Sequence, residues 1–329
     1  MAYAPVLTAY PAAGGSGPSV EVFFSSLPAG TASLTLFRSA GGRQFTVRGG
    51  VRASTAGQFT RRDGEVPFGV VATYRAEAFN SSGVSLGFTD SASVTVAELG
   101  TWVHNPLDPA GAVQVMFRES AARDLSRPTE GDVFYPQGRR VGVVVSGQRR
   151  GLSGVKLDVI VDDIESADRL QAMLGDYNSD TVPVLCFRIG AEDRVRLPRP
   201  LFAAVLDARE QDLTYVLGGS QIVTEMEGDE VAPPAPGLFI SLLTRADVNA
   251  FYASRADVDA YNLTRLDVAR NYGIADGSVP ALGTVESPAG SGLYTLGQAQ
   301  QAPEDGMFLT TGFTESPAGS GLYTMGGAL

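Results

Sequence analysis

Cysteine, histidine, lysine and tryptophan each occur once in this chain, as Cys186, His104, Lys156 and Trp102. One cysteine cannot close an internal disulfide, and its setting in Val184-Leu185-Cys186-Phe187 reads as a buried structural thiol. A structural zinc site built from cysteine and histidine within one chain is excluded. The same scarcity removes most histidine-centred acid–base chemistry and the phosphate loop that ends in Gly-Lys-Ser/Thr. Long apolar runs are missing as well. The longest, residues 141–145 and 201–206, are strand-length, against the ~20 residues of a membrane helix, so no membrane insertion is expected. Met1-Ala2-Tyr3-Ala4-Pro5 carries no basic stretch, so no secretory leader is expected and synthesis is assigned to the cytoplasm.

What the chain does have is turns and apolar residues. Its 329 residues include 39 glycines and 19 prolines and are 44% hydrophobic, which points to many short strands around real cores. Net charge is −11, unevenly spread. Residues 1–98 carry 7 basic and 6 acidic groups, residues 99–231 carry 14 and 21, and residues 232–329 carry 4 and 9. That acidity argues against a nucleic-acid partner.

The expected fold is mainly β and multidomain. Residues 19–27, 32–38, 44–48, 69–79 and 91–96 alternate or are β-branched and aromatic, with Gly/Pro/Ser/Asn clusters between them. About seven short strands in residues 1–98 predict a β-sandwich. Thr73-Tyr74-Arg75-Ala76-Glu77-Ala78-Phe79-Asn80-Ser81-Ser82-Gly83 resembles the penultimate strand of fibronectin type III domains.

Residues 99–231 open on Trp102-Val103-His104-Asn105-Pro106-Leu107-Asp108-Pro109, read as a proline-kinked approach, and continue as strands over 113–118, 142–146, 155–161, 182–188, 201–208 and 213–217. One helix interrupts them. Ser166 is its expected N-cap, Leu170, Met173 and Leu174 give its apolar stripe, and Gly175 stops it. The expectation is an α+β split barrel or sandwich plugged by that helix.

The third region, residues 232–329, begins with a Pro-rich linker, Val231-Ala232-Pro233-Pro234-Ala235-Pro236-Gly237. A ten-residue repeat follows, with Thr244, Ser254 and Thr264 each three residues before Asp247, Asp257 and Asp267, the spacing of a helix-start capping box. One helix and several short ones fit that pattern equally. Residues 286–297 and 315–326 (ESPAGSGLYTLG and ESPAGSGLYTMG) form a second repeat, read as β-like strands that add to a sheet edge elsewhere.

Candidate chemistry is sparse. Ser153 and Lys156 have the Ser-x-x-Lys spacing of some acyl enzymes, but the alternating run 155–159 places them on opposite faces of a strand. Asp162-Asp163 and Glu225, Glu227, Asp229 and Glu230 lack the ligand periodicity of a calcium loop. No reaction class is supported, and neither a cofactor nor a metal is assigned. The candidate residues are contacts for assembly: Trp102; Arg139, Arg140, Arg149 and Arg150, suited to acidic partners; and Tyr294 and Tyr323, suited to a neighbouring chain or a sugar.

Three stretches together resemble the minor tail proteins of tailed phages that infect actinobacteria. They are Thr101 to Pro109, the run Val133-Phe134-Tyr135-Pro136-Gln137-Gly138-Arg139-Arg140 leading on to Arg149-Arg150-Gly151, and the two closing ESPAGSGLYT peptides. The middle region resembles the belt domain of siphophage distal tail proteins. The resemblance implies a structural part of the virion tail tip, a ring or collar subunit commonly in six copies, joining tail tube to tip hub. The resemblance offers no catalytic residues to carry over. The alternative kept open is a module that binds host cell-wall glycan through the sandwich or the terminal tyrosines.

Overall fold

The computed structural model describes residues 3–13, 16–175, 182–213 and 220–236. It also describes 243, 245–252, 254–262, 264–271 and 274, and the backbone of four strands within 282–325. It is mainly β and falls into two compact units, Met1–Ile240 and Ser241–Leu329.

The first unit contains two β bodies. In the first body, β1 (Val6–Tyr10), β2 (Ser19–Phe24) and β6 (Phe59–Asp63) form one sheet. The other sheet holds β3 (Ser33–Ala40), β4 (Arg43–Thr46), β7 (Val71–Phe79) and β8 (Ser85–Phe88), with β5 (Ala53–Ser54) on β3 and β9 (Ala92–Thr95) on β7. Strict alternation along β3 turns Leu34, Leu36, Arg38 and Ala40 inward. Val20, Val22 and Phe24 of β2 meet them and Ala72, Tyr74 and Ala76 of β7 in one core. Burying each large apolar side chain there is worth about 1.5–3 kcal/mol. The β3–β4 turn is Gly41-Gly42, both at positive φ (57° and 76°), which a two-residue hairpin loop requires.

The second body is a sheet that closes on itself. It contains β10 (Thr101–Asn105), β11 (Asp108–Phe117), β14 (Val155–Lys156), β15 (Val159–Val161), β16 (Val184–Arg188), β17 (Leu201–Asp212) and β18 (Ile222–Glu230). The order runs β18-β15-β11-β10-β16-β17, and β17 pairs back onto β18. Between β11 and β14 the chain makes a separate ribbon, β12 (Thr129–Phe134) with β13 (Val143–Arg149). Helix α1 (Ile164–Ala172) fills the barrel with Ala167, Leu170 and, just past its end, Met173.

Two local expectations are corrected here. Asp163, not Ser166, caps α1: its Oδ1 accepts from the Ser166 amide at 2.7 Å and its Oδ2 from the Ser166 hydroxyl at 2.9 Å, so the helix starts three residues earlier. The run through Pro106 is a tight hairpin rather than a kinked approach, with Asn105 opposite Asp108. Asn105 Oδ1 accepts from the Leu107 amide, and its Nδ2 donates to the carbonyls of Met173 and Val182. The strand expected over 213–217 lies, from 214 on, outside the described residues.

The proline-rich stretch is strapped down. Arg48 donates to the carbonyls of Pro234 and Ala235, and the Gly49 amide to that of Pro236.

In the second unit the ten-residue repeat resolves into three separate helices, α2 (Arg245–Phe251), α3 (Arg255–Tyr261) and α4 (Arg265–Arg270). Ser254 and Thr264 form full capping boxes with Asp257 and Asp267. Successive turns are tied where Asn262 Nδ2 donates to the Tyr252 hydroxyl at 2.9 Å. Strands at the two ends of each ESPAGSGLYT peptide pair with each other: β19 (Leu282–Glu286) with β20 (Tyr294–Gln298), and β21 (Phe313–Glu315) with β22 (Tyr323–Met325). Glu286 faces Tyr294 and Glu315 faces Tyr323 in register.

Candidate assembly surface

The β12–β13 ribbon carries four of the seven candidate contacts. Cross-strand partners share a face, so Phe134 with Val143 and Asp132 with Val145 lie on one side, Val133 with Val144 on the other. Both faces are therefore apolar toward the tip, and every residue of both strands is exposed. Val133, Phe134, Val144 and Val145 are 53–65% exposed, and Tyr135 and Val141 at the tip are 72% and 73%. Gly131 permits the pairing, since a Cβ there would sit 2.6 Å from the Val145 carbonyl oxygen, at the point where the register shifts. A turn closed by the Arg139 amide on the Pro136 carbonyl, with Gly138 at φ 87°, makes the tip.

Charge is distributed unevenly along the ribbon. The side chains of Arg139 and Arg140 at the tip make no hydrogen bond or ion pair among the described residues. Arg149 and Arg150 are at the base, where they are engaged: Arg149 Nε donates to the Arg127 carbonyl and Arg150 pairs with Glu130. A two-stranded ribbon is marginal alone in water, and this one bares apolar surface on both faces and has no strand paired to either outer edge among the described residues.

Trp102 is placed elsewhere, half-buried where the two β bodies meet and packed against the core of the first. That junction is a buried ionic cluster. Arg38 Nη1 reaches both Asp63 oxygens, and the Tyr74 hydroxyl donates to Asp63 Oδ2 at 2.7 Å. Arg48 Nε donates to Glu65 Oε1 at 2.7 Å. From the barrel, Arg188 donates to the Pro18 carbonyl and lies 4.9 Å from the centre of the Phe68 ring. His104 stands opposite Cys186 in register, both fully buried.

Burial dominates the titration of this cluster. It drives His104 well below the usual histidine value, with Arg188 adding to the effect. It brings Arg188 down to about 10, against the opposing pull of Cys186 and Asp63, and pushes the Cys186 thiol up. Burial would also depress Arg38, but Asp63, Tyr74 and Glu65 outweigh it and raise that pKa. Glu65 is raised by burial, partly offset by Arg48.

Three of the acidic residues of β18 weighed as metal ligands have other partners. Asp229 accepts from Ser153 Oγ and the Gly154 amide, both at 2.8 Å, which holds its pKa below the ordinary value. Glu230 pairs with Arg43 and accepts from the Leu152 amide, while Glu225 pairs with Arg118 at 2.8 Å. Among the described residues no group of three or more His, Cys, Asp or Glu side chains could hold a metal, and no helix is long and apolar enough to cross a membrane. The side chains of Tyr294 and Tyr323 lie outside the described residues.

Sequence reasoning missed both the bare ribbon and the Arg38–Asp63–Tyr74 network. The ribbon left a signal: Val133-Phe134-Tyr135 and Val143-Val144-Val145 are unbroken apolar runs, the mark of strands covered on both faces. The network left none, because its members are scattered along the chain and each is an ordinary strand residue. Comparison with protein-family models, curated proteins and solved structures finds no match for this chain.

Proposed function

We propose that this chain is a structural protein of a phage tail tip, a ring-forming distal tail or minor tail protein that joins tail tube to tip hub. The observation that carries the reading is the β12–β13 ribbon, whose apolar faces have no cover within the described residues and whose tip is basic in a chain of net charge −11. Such a surface is completed by neighbouring protein. The resemblance of residues 101–109, 133–151 and the ESPAGSGLYT peptides to actinobacterial phage minor tail proteins supports the same reading.

In this reading residues 1–98 are a fibronectin type III-like sandwich and residues 99–231 a distal-tail-like barrel plugged by α1. Residues 232–329 form an arm that reaches neighbouring chains. The protein works in the virion, through copies of itself and through tube and hub proteins, and performs no catalysis. Electron microscopy of the purified protein, and of tails labelled with an antibody to it, tests the reading. Rings in the first and label at the tail tip in the second are expected; a solitary particle with label away from the tail overturns it.

A further inference from the structure

We infer that the tip of the β12–β13 ribbon of one copy docks on the start of helix α1 of a second copy, an inference that rests on the assembly reading above. The donor is basic and apolar: Arg139 and Arg140 flanked by Tyr135 and Val141. The acceptor has the complementary chemistry. Ile164, the first residue of α1, is 60% exposed, and Met116, which lines a groove with Asp162 and Asp163, is 49% exposed. Around Ile164 stand Asp162, Asp163, Glu165 and Asp168, against one nearby base in the helix, Arg169. Asp163 is occupied as the helix cap and Asp162 accepts from Gln221, but Glu165 and Asp168 are exposed and make no side-chain hydrogen bond or ion pair among the described residues.

The topology sets these two surfaces apart. The ribbon leaves the barrel before β14 and α1 follows β15. Both strands run antiparallel along β18, from Val155 opposite Gly228 to Val161 opposite Ile222. Six residue steps of extended chain cover about 20 Å, so donor and acceptor project from opposite ends of one segment. A contact between two different patches at opposite ends repeats head to tail, and closes into a ring when the rotation permits. Arginine at an apolar centre facing carboxylates gives that contact both its register and its dependence on salt.

The test measures self-association of the full-length chain by sedimentation velocity at low and high salt, with thermal melts showing that each variant folds. Arg139→Glu with Arg140→Glu, and separately Glu165→Arg with Asp168→Arg, are each expected to weaken association about tenfold or more. Mixing the two double variants restores it, because each reversed tip meets a reversed acceptor. If Glu165→Arg with Asp168→Arg associates like wild type and the mixture shows no gain, this acceptor is wrong. Loss of association on Val133→Glu with Val144→Glu would then leave the assembly reading standing. A wild-type chain that stays monomeric throughout overturns both.

Discussion

Arg38 Nη1 lies 2.7 Å from both carboxylate oxygens of Asp63, in a pair whose side chains are 0% and 2% exposed. The two residues are brought together by neighbouring sheets, β3 and β6, at the end of the first body's core. Tyr74 and the Glu65 amide supply further donors to the same carboxylate. A buried ion pair is costly to desolvate and costlier to break.

Arg38→Met leaves Asp63 buried without its counter-ion and is expected to destabilise the chain by about 3–5 kcal/mol. Adding Asp63→Leu to the same chain should cost less than the two single changes summed, since the second removes the stranded charge. Urea denaturation of the four proteins gives the coupling; strict additivity would mean the pair does not act as one.

His104 is the chain's single histidine, and neither ring nitrogen has a hydrogen-bond partner among the described residues. Its folded pKa lies well below 6.5, so the unfolded chain takes up a proton that the folded one refuses. Stability from this group is therefore full above about pH 6.5 and falls as pH drops below it, by at most about 1.4 kcal/mol per pH unit. Glu65, raised by burial, acts in the opposite sense: its contribution is lost as pH rises through its folded value. His104→Leu is expected to keep the melting temperature at pH 7 and to flatten the drop between pH 7 and pH 5. An unchanged pH profile would place the dependence elsewhere.

Asp163 holds the start of the helix that fills the barrel. Asp163→Ala is expected to cost about 1 kcal/mol, and Asp163→Asn only a small fraction of that, because the amide oxygen still caps. The Ser166 amide and hydroxyl depress the Asp163 pKa, so its stabilisation is present above the ordinary carboxylate range and lost as pH falls through the folded value. Denaturation of both variants at neutral pH checks the cap.

In the ten-residue repeat, Asp257 and Asp267 donate their amides to Ser254 Oγ and Thr264 Oγ1 at 3.3 and 3.2 Å. Ser254→Ala or Thr264→Ala should loosen one helix start by about 1 kcal/mol. Hydrogen exchange is expected to accelerate at the amide beside the altered cap and to stay unchanged at the other. Joint acceleration would mean that the three helices open as one.

Much of this fold was readable beforehand because it is local. The alternation in residues 32–38 gives β3, the stripe of Leu170 and Met173 gives the plugging helix, and the Ser/Thr-to-Asp spacing gives the caps. The misjudged points turn on competition between neighbours. Asp163 outcompetes Ser166 for the cap because its carboxylate takes both the amide and the hydroxyl of Ser166. Asn105 turns Pro106 into a hairpin through one local bond and two distant ones. For the ribbon, the arginines stood out in the sequence, whereas the bareness of Val133, Phe134 and Val144 did not.

By itself the sequence settled the β class, the presence of one helix among the barrel strands and the lack of an internal disulfide in a chain with a single cysteine. Those properties follow from side-chain type, spacing and turn residues within a few positions. Only the tertiary structure decided that Arg188 reaches back to Pro18, that Arg48 straps Pro234 and that two apolar runs stand uncovered on a projecting ribbon. Burial is a property of what packs against a residue, and the partners here lie up to 187 positions away, as Arg43 and Glu230 do.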